Sequence, residues 1–217
     1  YEVDFRLRPS GNKGPLATHV DAFRRYQENE AWTWERMALT RSRTVSGDPA
    51  FVAEVAATIA SILAERRDPA EVTRDVAAMR QRIEAGKPAS GALDLKLRPG
   101  GLIDLEFLAQ WALLTGRANL DLRGAPTATV LAAADFGKGV DGAELARAMD
   151  RFTRIIQLLR LGPAEARNPE DVPEGLARAI VSAAGLDDWS ALGGALEAET
   201  ARVRAVFRSV LGDPEPS

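Results

Sequence analysis

The residues best suited to chemistry lie at the start of the chain, in an alternating segment that ends in a glycine turn. Residues 1–11 read YEVDFRLRPSG. As a β-strand, this segment turns Val3, Phe5 and Leu7 towards a core, because successive side chains of a strand point to opposite faces. The opposite face then carries three charged side chains: Asp4, Arg6 and Arg8.

This charged face combines two chemistries that a nucleotide site needs. A carboxylate such as Asp4 suits a hard divalent cation such as Mg²⁺. The guanidinium groups of Arg6 and Arg8 suit phosphate oxygens. On pattern alone, a solvated strand face with an ion pair is the favoured interpretation, because surface strands often carry such residues.

Composition and charge exclude several classes of function. The 217 residues include 46% hydrophobic and 27% charged residues, which is typical of a globular protein of one large or two small domains. A net charge of −3 and a pI near 5.4 argue against nucleic-acid binding through a general basic surface. No run approaches the roughly 18 apolar residues of a membrane span. We therefore expect no nucleic-acid or membrane partner, and a cytoplasmic location.

Cysteine and histidine are too scarce for much of metal and acid–base chemistry. The absence of cysteine rules out disulfides, thiol catalysis and cysteine metal sites. The single histidine, His19, excludes histidine pairs and clusters, and we predict that it begins a helix or turn. The remaining chemistry belongs to carboxylates, arginines, lysines and hydroxyls.

The pattern of elements is α/β-like at first and helical afterwards. A helix capped by Thr18 or Asp21 is predicted to end near Glu30. The pattern of residues 36–45 fits either a helix or a strand, and that of residues 94–98 indicates extended backbone. The other predicted helices cover about residues 49–65, 68–85, 102–114, 127–135, 142–161, 173–184 and 189–211. We predict a domain end at 1–47, a helical bundle at 48–211 and a disordered tail at 212–217.

Two further segments could contribute to a site. Trp32 and Trp34 flank Thr33, and either tryptophan could anchor a partner or stack on a base, although packing between domains is the favoured alternative. Arg41 and Arg43 repeat the spacing of the first two arginines, and in an extended segment they would form a second pair of cations for a polyphosphate.

A glycine pair opens a third segment, GGLIDLEF at residues 100–107. Asp104 and Glu106 resemble a metal-binding acid pair, but on a helix they diverge by about 200°. The simpler interpretation is a glycine-led helix start with acids in its first turn, where the helix dipole favours them.

Taken together, these motifs resemble one family. In chain order they are VDFRLRPSG at 3–11, YQENEAWTWE at 26–35, RSR at 41–43 and GGLIDLEF at 100–107. They are similar to the bifunctional glutamine-synthetase adenylyltransferase/adenylyl-removing enzyme, which has two homologous nucleotidyltransferase modules. The NEAWTWE form resembles its C-terminal, adenylylating module, whereas KLRPGG at 96–101 is more similar to the removing module.

The resemblance implies a fold and an activity. The fold is mainly α: the truncated end of an α/β nucleotidyltransferase domain followed by a helical bundle. The activity is metal-dependent transfer of AMP from ATP to a tyrosine of glutamine synthetase, which regulates nitrogen assimilation. Mg²⁺ and ATP are the implied cofactors of the complete enzyme, and glutamine synthetase, with the PII signalling protein as a further candidate, is the implied partner.

The resemblance assigns a role to Asp4, and the patterns described above supply the other candidates for the site. Asp4 matches the third carboxylate of the family's metal site and is the catalytic and metal candidate. The phosphate-binding candidates are Arg6, Arg8, Arg41 and Arg43. The candidates for substrate or partner contact are Trp32, Trp34 and Glu35. The first two metal carboxylates, an acid-x-acid pair after glycine and serine, have no match, so we expect these 217 residues alone to be inactive or nearly so.

Other interpretations remain open. The helical part could be a non-catalytic module that docks glutamine synthetase or PII, or the chain could belong to the adenylyl-removing module. A nucleotidyltransferase acting on nucleic acid fits poorly with the acidic charge balance.

Overall fold

The computed structural model describes residue 11 and residues 14–65, 67–163 and 168–212. Within these ranges the regular structure is helical and contains no strand, which confirms a mainly α fold. The predicted opening strand and residues 213–217 of the predicted tail lie outside the described residues. None of the described helices is long and apolar enough to cross a bilayer.

The described residues form a series of α-helices in chain order. They are α1 (Val20–Asn29), α2 (Thr33–Leu39), α3 (Pro49–Ala64), α4 (Pro69–Gly86), α5 (Leu102–Leu114), α6 (Thr127–Ala133), α7 (Gly142–Leu159), α8 (Glu174–Ala184) and α9 (Leu192–Leu211). Single 3₁₀ turns lie at Leu120–Leu122 and Pro169–Asp171.

Side-chain caps explain where several helices begin. Asp48, Asp68 and Asp141 each accept a hydrogen bond from the backbone N–H two residues later, at the start of α3, α4 and α7. His19 does the same for α1, since its Nδ1 accepts from the N–H of Asp21 at 3.3 Å. The prediction that His19 begins a helix is therefore confirmed, and the cap is neither Thr18 nor Asp21.

The core is built around α5. Ten of its thirteen residues are buried, including Leu105 and Leu108, which are fully inaccessible. A helix that is apolar on all sides requires neighbours on all sides. Those neighbours are α2, α4, α6, α7 and α9, with Phe152 of α7 and Phe207 of α9 among the fully buried side chains. The predicted helix at 102–114 is confirmed at both ends.

The first two helices contact the rest of the described structure. Helix α1 packs on α3, while α2 packs on α3, α4 and α5. A domain boundary near residue 47 stays a prediction, but the segment that carries the tryptophan motif rests directly on the central helix.

Two local predictions are resolved or corrected. Residues 36–45 form the end of α2 followed by turns and irregular backbone, so the strand alternative is wrong. Residues 94–98 form turns and are not extended. The reason is Asp94, whose carboxylate accepts from the N–H of Leu97 at 3.1 Å and whose carbonyl accepts from the N–H of Arg98 at 3.1 Å. Such local bonds favour a turn over a strand.

Candidate functional site

The start of α2 displays the tryptophan motif. Trp32 lies just before the helix with 69% of its side chain exposed, and Trp34 is partly buried. Glu35 is 8% exposed, and its carboxylate accepts from the backbone N–H of Trp32 at 2.9 Å and from the Tyr26 hydroxyl at 2.9 Å. Glu35 therefore closes the first turn of the helix and holds Trp32 at the surface.

A buried arginine fixes α2 to its neighbours. Arg36 is 2% exposed. Its Nη2 donates to the carbonyl of Gln27 at 2.7 Å, and its Nη1 donates to the carbonyl of Ile62 at 3.2 Å and pairs with Glu65 at 2.7 Å. These contacts connect α2 to α1 and α3. Charge-assisted hydrogen bonds are short and directional, so these contacts help to fix the position of α2.

The loop after α2 carries Arg41 and Arg43, two of the four arginines predicted to bind phosphate. Its backbone is held where the carbonyl of buried Thr40 accepts from the N–H of Gly124 at 2.8 Å. Arg41 pairs through Nη1 with Oε1 of Glu106 on α5 at 2.8 Å. Arg43 is exposed, and within the described ranges its side chain makes no hydrogen bond or ion pair. The structure therefore places both arginines at the surface, with Arg41 anchored to α5 by Glu106.

The glycine motif before α5 is shaped by close packing. Gly100 has φ +75°, and a Cβ there would lie 1.8 Å from the carbonyl oxygen of Thr200 in α9. A Cβ on Gly101 would lie 2.4 Å from the carbonyl oxygen of Leu95. Only glycine fits a positive φ with so close an approach of two backbones. Gly100 therefore lets the turn at 94–101 pack against α9, and Gly101 lets the same turn close on Leu95.

Asp104 joins this turn to two arginines in the interior. Its side chain is 0% exposed, and it accepts from Nε of Arg80, from Nη1 of Arg204 at 3.0 Å and from the N–H of Gly100 at 2.8 Å. Glu84 also pairs with both arginines, at 3.2 Å and 2.9 Å. The network balances two cations with two anions and ties α4, α5 and α9 together.

The interpretation of residues 100–107 as a glycine-led helix start is confirmed, with one correction. Asp104 lies in the first turn of α5, but Glu106 lies beyond it. The two side chains also point to different partners, buried arginines for Asp104 and Arg41 for Glu106. The dipole explanation is incomplete for Asp104, because the buried arginines supply most of the positive charge around it.

The predicted metal site lies mostly outside the described residues. Asp4, Arg6 and Arg8 are among the residues that the structure does not describe. In the described part of the chain, no group of three or more carboxylate or histidine side chains could hold a metal ion. Asp4 therefore stays a predicted metal ligand.

Family models match the two parts of the chain in order. Residues 1–58 match the model described as "Glutamate-ammonia ligase adenylyltransferase". Residues 71–211 match the model described as "GlnD PII-uridylyltransferase".

Known relatives match the chain from end to end. Proteins named "Bifunctional glutamine synthetase adenylyltransferase/adenylyl-removing enzyme" are 44% identical in Mesorhizobium japonicum over 100% of this chain, 44% in Brucella suis over 98%, and 41% in Rhizobium meliloti over 97%. Each match covers 22% of the relative, so the chain spans about a fifth of the length of the curated relatives it matches.

Proposed function

The chain belongs to the family of the bifunctional glutamine synthetase adenylyltransferase/adenylyl-removing enzymes, and we propose that it is part of an AMP-transferring enzyme. Its residues 71–211 form a domain of the type described as GlnD PII-uridylyltransferase. In the proposed reaction AMP passes from ATP to a tyrosine of glutamine synthetase. The match over the complete chain, in which both parts occur in the same order, is the observation that carries this proposal.

The proposed chemistry is in-line displacement at phosphorus. The tyrosine oxygen attacks the α-phosphorus of ATP, and its hydroxyl proton is released to solvent. A new P–O bond forms to tyrosine, and the bond to the bridging oxygen breaks as pyrophosphate leaves. Mg²⁺, when bound, would neutralise charge on the phosphates, with Asp4 as its proposed ligand in this chain. Arg6, Arg8, Arg41 and Arg43 are the proposed phosphate contacts.

The exposed start of α2 is the proposed contact for glutamine synthetase. An aromatic side chain as exposed as that of Trp32 is a suitable anchor for a protein partner. Trp34 would line the same contact. Glu35 reaches a partner only by leaving Tyr26 and the backbone of Trp32, so its proposed contribution is mainly to orient the tryptophans.

The proposal is tested by following label from the α-phosphate of ATP into purified glutamine synthetase. We expect transfer by the complete enzyme and little or none by these 217 residues alone, because they supply one carboxylate of the family's metal site. Robust transfer by the 217 residues alone would contradict the expectation that they supply only one of the carboxylates that the metal site needs. A parallel assay measures removal of AMP from adenylylated glutamine synthetase, and so distinguishes the activity of the adenylyl-removing module from that of the adenylylating module.

A docking function for the helical part is the second candidate. It is favoured by the match of residues 71–211 to a family model whose description names PII. Capture of purified glutamine synthetase or PII by residues 48–217, without any transferase activity, would support it. Transfer of UMP from UTP to PII by the complete enzyme would instead favour the activity in that model's name.

A cytoplasmic location follows from the proposed substrates, since ATP and glutamine synthetase have to meet the enzyme there.

A further inference from the structure

The ion pair between Arg41 and Glu106 joins two rigid parts of the structure. Glu106 belongs to α5, whose first turn is fixed by the buried Asp104 and its two arginines. Arg41 follows Thr40, whose backbone is bonded to Gly124. The Arg41 side chain itself is 50% exposed, whereas that of Glu106 is 19% exposed. A flexible cation at the surface is thus held by a carboxylate on the central helix.

The atoms that make this contact leave part of the guanidinium group available. Glu106 accepts from Nη1 alone, at 2.8 Å. Within the described residues, no hydrogen bond engages Nε or Nη2 of Arg41. Those two nitrogens form one edge of the planar group, and such an edge matches two oxygens of a phosphate. Glu106 therefore restrains the arginine without occupying the edge that would bind an anion.

We propose that Glu106 is a positioning residue for ATP: it holds Arg41 so that the Nε–Nη2 edge faces a phosphate group. The inference rests on the proposed function, because it takes Arg41 as a phosphate contact. Holding a long side chain in its bound conformation before binding removes part of the entropic cost of ordering it.

Glu106 could also weaken ATP binding instead of strengthening it, so the sign of the change in ATP affinity on removing Glu106 tests the proposal. A carboxylate 2.8 Å from the guanidinium also weakens the attraction of that cation for phosphate. If this repulsion were the main effect, removing Glu106 would strengthen ATP binding. If positioning is the main effect, removing Glu106 weakens it.

The experiment uses the complete enzyme and measures the affinity for Mg·ATP by calorimetry, together with KM and kcat for AMP transfer. The variants are Arg41→Ala, Glu106→Ala, Glu106→Gln and the double variant Arg41→Ala with Glu106→Ala. Asp135→Ala is the control, because it removes the carboxylate of another arginine ion pair, the more exposed one with Arg117 at 3.2 Å.

We expect Arg41→Ala to weaken Mg·ATP binding by roughly tenfold, in line with the loss of one charge-assisted phosphate contact. Glu106→Ala should weaken it roughly threefold to tenfold, by raising KM and leaving kcat nearly unchanged. Glu106→Gln keeps an acceptor oxygen and should fall between Glu106→Ala and the unmodified enzyme. The double variant should match Arg41→Ala, since Glu106 acts only through Arg41.

Two results for the carboxylate variants would overturn the inference. They are tighter or unchanged Mg·ATP binding in Glu106→Ala, and a weakening of the same size in Asp135→Ala. These outcomes concern Mg·ATP affinity, so they are distinct from failure of the proposed function, which would be absence of AMP transfer in the unmodified complete enzyme. An unchanged affinity in Arg41→Ala removes Arg41 from the phosphate contacts, and this inference with it.

Discussion

Replacing Asp104 with alanine tests the buried network that fixes α5. The change removes a carboxylate with 0% exposure that accepts from Nε of Arg80, Nη1 of Arg204 and the N–H of Gly100. Of these donors, Nη1 of Arg204 keeps its pairing with Glu84 at 2.9 Å. Breaking a buried ion pair by deleting one partner typically costs about 3–5 kcal/mol, because the remaining charge is buried without compensation.

The structure places the expected loss at the lower end of that range. Glu84 remains beside both arginines, at 3.2 Å and 2.9 Å, and is 27% exposed, so it compensates part of the uncovered charge. We therefore expect Asp104→Ala to lower the free energy of unfolding of the 217-residue chain by about 3 kcal/mol. A domain's total stability is about 5–15 kcal/mol, so this loss is easily measured.

Urea denaturation followed by circular dichroism gives this free energy, provided that the dependence on urea concentration is unchanged. Asp135→Ala is the control, because its exposed pair with Arg117 is worth at most about 1 kcal/mol. Arg80→Ala combined with Asp104→Ala should cost less than the sum of the single changes. A loss below about 1 kcal/mol for Asp104→Ala would refute the claim that this network holds α5 in place.

Two further predictions concern local geometry. Gly100→Ala should destabilise the chain by more than about 2 kcal/mol, since φ is +75° and the new Cβ would lie 1.8 Å from the Thr200 carbonyl oxygen. Thermal unfolding measures this loss, and an unchanged unfolding midpoint would contradict the prediction. The Ser190 hydroxyl and two backbone N–H groups lower the pKa of Asp188, so the stability from these bonds is present above the ordinary aspartate pKa and is lost as pH falls through the lowered value. An NMR titration should show that lowered pKa, and Ser190→Ala should raise it; an Asp188 pKa that Ser190→Ala leaves unchanged would argue against this cause.

The helices were largely predictable because their signals are local. Asp48, Asp68 and Asp141 cap helices immediately before apolar periodic segments, and the first two precede a proline. The glycine pair before Leu102 and the apolar run after it specify both ends of α5. Residues 94–98 were misread because their apolar residues alternate as in a strand, while the side chain of Asp94 bonds the turn.

The interior polar contacts were not predictable, since they join residues far apart in the sequence. Asp104 is 24 residues from Arg80 and 100 residues from Arg204. Arg36 carries no sequence signal of burial, because its acceptors are backbone carbonyls in α1 and α3. The contact of Arg41 with Glu106 depends on how α2 packs on α5, which periodicity does not give.

The proposal that this chain contributes to an AMP-transfer site is tested most directly by Asp4→Asn in the complete enzyme. The measurement is transfer of α-phosphate label from ATP to glutamine synthetase, with the unfolding curve as a check on the fold. Loss of a metal ligand should remove several kcal/mol of transition-state stabilisation, so we expect transfer to fall by at least about a hundredfold with the unfolding curve unchanged. Unchanged turnover would contradict the assignment of Asp4 and the site proposed around it.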